Sequence, residues 1–172
     1  MRRVGLIVAI VVAVVDVLYI RFVEVVQGAT SDMPWVVPFV ASYVGLLAVC
    51  ALLSATGSPS SWRIALLGGS AGGLVVLGFF ALFSIGLPLL VMGLVSVAAL
   101  VRTVRGATKR RLATGASIAG ALTAVLVMLA GFEITDRIIA CRSGVVSGGG
   151  TGFLTSSYSY TCENGRAIVT WK

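Results

Sequence analysis

The chain has 172 residues, 58% of them hydrophobic and 11% charged, with a formal net charge of +7. Soluble domains carry roughly 45 to 50% apolar and about 25% charged residues, so this composition excludes an ordinary soluble domain and points to an integral membrane protein. Histidine is absent, which removes Ser-His-Asp triads, His-ligated zinc or iron and His-ligated haem from anything this chain can build alone.

In chain order, the first long apolar run is Val4 to Val26, preceded by Arg2 and Arg3. The start resembles a signal peptide, but the run is too long for a signal core and Gln27-Gly28-Ala29 is a poor cleavage site, so a retained helix is expected. A second span is predicted from Val36 to Ala55, entered through Pro34 and Pro38 and left through Gly57-Ser58-Pro59. Trp35 and Trp62 flank it as interfacial anchors, because an indole is amphipathic and settles at headgroup depth. The apolar stretch from Ile64 to Val101 is about twice the length of one crossing, which needs about 20 residues. Gly86 and Pro88 divide it, so a tight helical hairpin is expected, with span three from Ile64 to Ile85 and span four from Leu87 to Val101. Span five runs from Leu112 to Ile134.

Charge sets the expected direction. Arg102, Arg105, Lys109, Arg110 and Arg111 fall between spans four and five, and Lys and Arg beside span ends are retained in the cytoplasm. With that loop inside, the N-terminus and the Arg63 loop are also inside. Eight of the 13 basic residues, Arg2, Arg3, Arg63 and the five of the loop, then lie on the cytoplasmic side, and all six acidic residues lie in the outer half of the membrane or beyond. The 102–111 loop is placed to meet anionic headgroups. Nucleic acid is not an expected partner, since no run of basic and stacking residues stands outside the spans.

Helices in lipid gain little from apolarity itself, so small residues that allow close approach, and hydrogen bonds between helices, must hold them together. Span three offers Gly68 with Gly72 and Gly69 with Gly73; span five offers Ala113, Ser117 and Ala121, and Ala116, Gly120 and Ala124. These faces serve either packing within the bundle or another protein. Cys50 in span two reads as a small buried apolar residue. Asp16 is a carboxylate well inside span one, where ionisation is costly, so it is paired, protonated or turned to a wet cavity. Arg21, Glu24, Glu133, Asp136 and Arg137 gather at the outer ends of spans one and five. An ion-pair cluster joining those two helices is expected there, with Asp16 reaching Tyr19 one turn away or a donor on a partner. The alternatives for Asp16 are a proton or cation site and a docking contact.

Beyond span five the sequence turns to Ser, Gly, Thr and Tyr. Asn164-Gly165 is the preferred centre of a type I′ hairpin. Counting outward pairs Cys162 with Ala167, Tyr160 with Val169 and Tyr158 with Trp171. Alternation then places these six on one apolar face, and Ser157, Ser159, Thr161 and Thr170 on the other. A lone hairpin is barely stable in water, so the apolar face needs support. Cys141 and Cys162 would both lie on the oxidising side, where a disulfide persists. Closing that loop of about 20 residues contributes roughly 3 kcal/mol in the chain-entropy model, with Gly148 to Gly150 as slack.

The expected architecture is therefore an all-α integral membrane protein: a five-helix transmembrane bundle over 1–134 with a cytoplasmic N-terminus, and an extracytoplasmic, disulfide-linked β-hairpin over 135–172. No C-x-x-C, Walker loop or Rossmann glycine pattern follows, and no nucleophile and base pair is recognisable. No enzyme activity, cofactor or metal is expected. Two functions remain: a noncatalytic accessory or assembly subunit of a larger plasma-membrane complex, or a small oligomeric proton- or cation-coupled transporter or channel using Asp16. The Ala, Val and Gly richness favours a bacterial plasma membrane. Reporter fusions at Lys109 and Lys172 are expected to report inside and outside respectively; the reverse pattern would overturn the orientation.

Overall fold

The computed structural model describes residues 2–26, 35–56, 60–82, 86–137, 147–151, 157–163 and 166–171. Among them are five helices, α1 (Arg2–Val26), α2 (Val36–Ala55), α3 (Ser61–Phe80), α4 (Leu87–Arg105) and α5 (Arg110–Arg137), and three strands, β1 (Ser147–Thr151), β2 (Ser157–Glu163) and β3 (Arg166–Trp171). Each helix is long and apolar enough to cross a membrane, as in a multi-pass membrane protein.

The helices follow the apolar runs, but their ends are set by local hydrogen bonding. Pro38 falls in the first turn of α2 and Pro88 at the start of α4, where a missing N–H costs no intrahelical bond. α3 stops at Phe80, short of the expected Ile85. Ala81 N–H donates back to Leu77 O, and Gly86 N–H donates to Ala81 O at 2.7 Å, turning the chain into α4. A Cβ on Gly86 would collide with Ala81 and with the Gly78 carbonyl, and one on Gly78 would sit 2.5 Å from Leu90 N. Only glycines permit so tight a reversal. At the other end α4 continues to Arg105 and α5 reaches from Arg110 to Arg137, beyond the apolar limits, because Arg is a good helix former. Arg102 and Arg105 stand in the last turn of α4, where cations complement the dipole.

α3 is the axis of the bundle. It packs on α5, α4 and α2, while α1 packs on α2 and α4. Gly5 of α1 lies beside Ala51 and Ala55 of α2, so these helices run antiparallel; Gly68, Gly69 and Gly72 of α3 lie beside Ser117, Gly120 and Ala121 of α5, which runs parallel to it. The core joins Val8 and Val12, Val44 and Leu47, Leu74 and Leu77, Leu89 and Met128. Arg3, Arg63, Arg102, Arg105, Lys109, Arg110 and Arg111 therefore share one end, the basic end, and Glu24 and Glu133 belong to the opposite one.

The expected hairpin is a three-stranded antiparallel sheet in the order β1-β2-β3. Between β2 and β3 the register is Cys162 to Ala167, Tyr160 to Val169 and Tyr158 to Trp171, as the turn dictates. The correction is β1: Gly148 to Gly150 form a strand opposite Tyr160, Ser159 and Tyr158 rather than slack. A two-stranded ribbon is marginal, and a third strand completes its hydrogen bonding. Glycine suits that strand because a Cβ on Gly148 would meet the Tyr160 ring at 2.6 Å. Tyr158 is buried and stacks with Tyr160 at a centroid distance of 6.5 Å, while Ser157, Ser159, Thr161 and Thr170 are exposed. The Asn164-Gly165 turn lies outside the described residues.

The α3–α5 seam should tolerate no side chain. Gly68→Leu is expected to lower unfolding stability in detergent by about 1 to 3 kcal/mol or more through overpacking. Gly115→Ala, where an added Cβ meets nothing within 4 Å, is expected to leave stability unchanged or raise it by up to about 1 kcal/mol. Equal responses in thermal midpoint would refute the seam.

Candidate functional site

The two small-residue faces singled out from sequence largely meet each other. A Cβ on Gly68 would collide with the backbone of Ser117, one on Gly72 would lie 2.8 Å from the Ala121 Cβ, and one on Gly120 would run into the Ala65 carbonyl. Gly73 faces the other way, toward α2, where Leu47 and the Tyr43 hydroxyl occupy the space its side chain would need. Through this gap Tyr43 crosses α3 and donates its hydroxyl proton to Ala124 O of α5 at 2.8 Å. A phenol buried among apolar groups requires such a partner. Tyr43 thus ties α2, α3 and α5 together, a role that sequence reading did not assign. Its one legible signal was a polar tip in an otherwise apolar span.

Toward the opposite end α2 and α5 touch directly. Phe39 lies against Gly131, where a Cβ would strike its ring, and meets Phe132 edge-on at 5.4 Å. Toward the basic end they part, leaving a groove of ≈ 350 Å³ with α3 between them. Gly69 lies there, where an added Cβ would be 3.2 Å from Gly120 O, so a glycine rather than a side chain lies at its base. Leu46 and Cys50 of α2, Leu66 of α3, and Thr123 and Val127 of α5 line the walls. The Thr123 hydroxyl donates to Ala119 O at 2.9 Å, turning its polarity back into its own helix. Cys50 is half-buried and is a free thiol. What remains is an apolar, small-residue groove in the surface of the bundle, suited in shape to an aliphatic chain or to the ridge of another helix.

Asp16 lies on the half-buried side of α1, with Oδ2 3.7 Å from the position a Cβ would take on Gly45 of α2. Its Oδ1 is buried and has no hydrogen-bond partner. The expected bond to Tyr19 does not form: Tyr19 is half-buried on the same helix, one turn on. Of the residues expected to form an ion-pair cluster at the outer ends of α1 and α5, Arg21 and Glu24 meet within α1. α1 packs on α2 and α4, and Arg21 donates to Glu24 at 3.4 Å within α1. Both side chains are largely exposed, at 77% and 59%, so the pair contributes little. Glu133 sits half-buried in the last turns of α5; the side chains of Asp136 and Arg137 lie outside the described residues.

Among the sheet residues, Tyr160, Cys162, Ala167 and Val169 are half-buried and alternate with exposed neighbours. The Trp171 side chain and Cys141 lie outside the described residues. No group of three His, Cys, Asp or Glu able to hold a metal ion occurs among the described residues. No protein-family model, curated protein or solved structure matches this chain.

Proposed function

We propose that this protein is a noncatalytic accessory or assembly subunit of a larger plasma-membrane complex, and that a helix of another subunit docks in the α2–α3–α5 groove. The observation that carries the reading is the groove itself. Gly69 lies at its base and Cys50 and Thr123 in its walls, and small residues are what two helices in lipid need for backbone approach and van der Waals contact. Gly68, Gly72, Ser117 and Gly120 are occupied by the seam between α3 and α5, so the docking surface is this remaining part of the small-residue face. The apolar strand face around Tyr158 and Tyr160 is a second contact. In this reading the basic end faces the cytoplasm and anionic headgroups, and the sheet is extracytoplasmic. A Cys141 to Cys162 bridge would then tie the sheet to the end of α5. Support for it is that Cys50, inside α2, is the free thiol among the described residues.

A second reading, a small oligomeric proton- or cation-coupled transporter or channel, is favoured by one observation: the unpartnered buried Oδ1 of Asp16. An intramembrane carboxylate without a partner is a site for a proton or a cation.

Gentle detergent extraction, native electrophoresis and mass spectrometry separate the two. The subunit reading expects stoichiometric comigration with a larger protein, protection of Cys50 from a membrane-permeant maleimide within that complex, and loss of the partner in Thr123→Phe at unchanged thermal midpoint. Comigration untouched by Thr123→Phe sinks the groove as the docking site. Migration alone or as a homo-oligomer, with ion flux in vesicles abolished by Asp16→Asn, would establish the transporter instead. Non-reducing gels are expected to show the Cys141 to Cys162 bridge; equal alkylation of both thiols without reductant would exclude it.

A further inference from the structure

Asp16 precedes Val26, the last residue of α1, by ten positions, which is about 15 Å at ~1.5 Å per residue. In a hydrocarbon core about 30 Å thick the carboxylate is therefore far from either surface. A charge at such depth is held by a partner. Oδ1 is sealed inside the protein and bonds to nothing, so a counter-charge can reach this group through Oδ2. That oxygen lies beside Gly45 of α2.

The seam between α1 and α2 is closed near the basic end and opens at Oδ2. A Cβ on Gly5 would lie 2.8 Å from the Ala55 Cβ, whereas one on Gly45 would meet Asp16 Oδ2 alone, at 3.7 Å. Ser42 and Val49, which flank Gly45 on the outward side of α2, are exposed. The Ser42 hydroxyl donates to Pro38 O at 2.7 Å, so it does not serve the carboxylate. Val17, next to Asp16, is exposed as well. The result is a surface notch with a glycine at its floor, a carboxylate oxygen in its side and apolar flanks.

This chain does not bring a cation to the notch. Of the two helices that pack on α1, α2 has no Lys or Arg, and α4 has Arg102 and Arg105 at the basic end. Arg21 stands five residues on from Asp16, about 140° around the helix at 3.6 residues per turn, and donates to Glu24. The same angle prevents a second copy from answering with its Arg21, because one α1–α1 seam cannot present two faces so far apart. A helix in the α2–α3–α5 groove would rest on Leu46 and Cys50, on the flank of α2 toward α5, while Gly45 faces α1. The missing cation therefore belongs to a different helix of another protein.

We propose that a transmembrane helix of a partner subunit packs in this notch and pairs the cation of a Lys or Arg side chain with Asp16 Oδ2. Gly45 permits the close backbone approach that holds helices together in lipid. The carboxylate selects the partner, since a helix without a cation would leave it buried and unneutralised. The inference rests on the subunit reading and deepens it by naming the chemistry of the partner. It does not need the α2–α3–α5 groove to be a docking site.

The test compares wild type with Asp16→Asn, Gly45→Leu and Leu18→Ala, each extracted gently from the native membrane and read by native electrophoresis with quantitative mass spectrometry. Asp16→Asn is expected to lower the comigrating subunit about tenfold or more, as loss of one member of a buried charge pair does. Gly45→Leu, which fills the notch, should do the same. Leu18→Ala, exposed on the far side of α1, should change it less than about twofold. The thermal midpoint of the isolated chain should hold or rise in Asp16→Asn, because the carboxylate has no partner there; a fall that parallels the loss of the subunit would make Asp16 structural and overturn the pairing. The comigrating subunit should carry a Lys or Arg within a membrane span, and replacing that residue by Asp should restore the complex with Asp16→Lys. A subunit with no such cation, or one retained by both Asp16→Asn and Gly45→Leu, overturns this inference and leaves the subunit reading standing. The absence of any comigrating subunit overturns both.

Discussion

The closeness of α3 to α5 is the constraint on which the bundle depends. Lipid removes the hydrophobic force that drives helices together in water, leaving packing and polar contacts. Gly68, Gly72 and Gly120 bring backbone against side chain and backbone across this seam, and each approach multiplies weak dispersion contacts. α3 can then also receive α4, through Gly93 against Val75 and through the Gly78 to Gly86 turn, and α2, through Gly73. A helix with ordinary side chains at these positions would hold one neighbour at such range, not three.

Polar groups are arranged so that lipid-facing surface stays apolar. Ser42, Ser96, Thr123 and Thr135 donate to carbonyls of their own helices, which removes the cost of an unsatisfied hydroxyl without joining helices. Tyr43 is used differently, reaching across α3 to Ala124. Asp16, Ser60 and Ser70 keep buried side-chain oxygens without partners.

Much of this was legible because membrane solvation makes sequence pattern local. The run lengths located α1, α2, α4 and α5, since every backbone polar group in hydrocarbon must be satisfied within its own segment. Counting outward from Asn164-Gly165 in the sequence anticipates the β2 to β3 register that the strands adopt, two residues at a time as the pleat requires. Glycine spacing named both members of the α3–α5 seam. What failed was whatever depended on a neighbour in space. β1 was missed because Gly148 to Gly150 has no strand propensity of its own and pairs only because Tyr158 and Tyr160 offer an edge.

The sequence by itself determined the number of apolar helices, the segregation of charge between their ends, and the hairpin's facing residues, because each follows from chemistry repeated along one segment. Only the tertiary structure decided that α3 is the axis, that Gly68 and Gly72 are taken up by Ser117 and Ala121 while Gly69, against Gly120, forms the base of a groove, and that Asp16 Oδ1 finds no hydrogen-bond partner. These are choices of azimuth and neighbour, and one helix face carries no record of which other face it will meet.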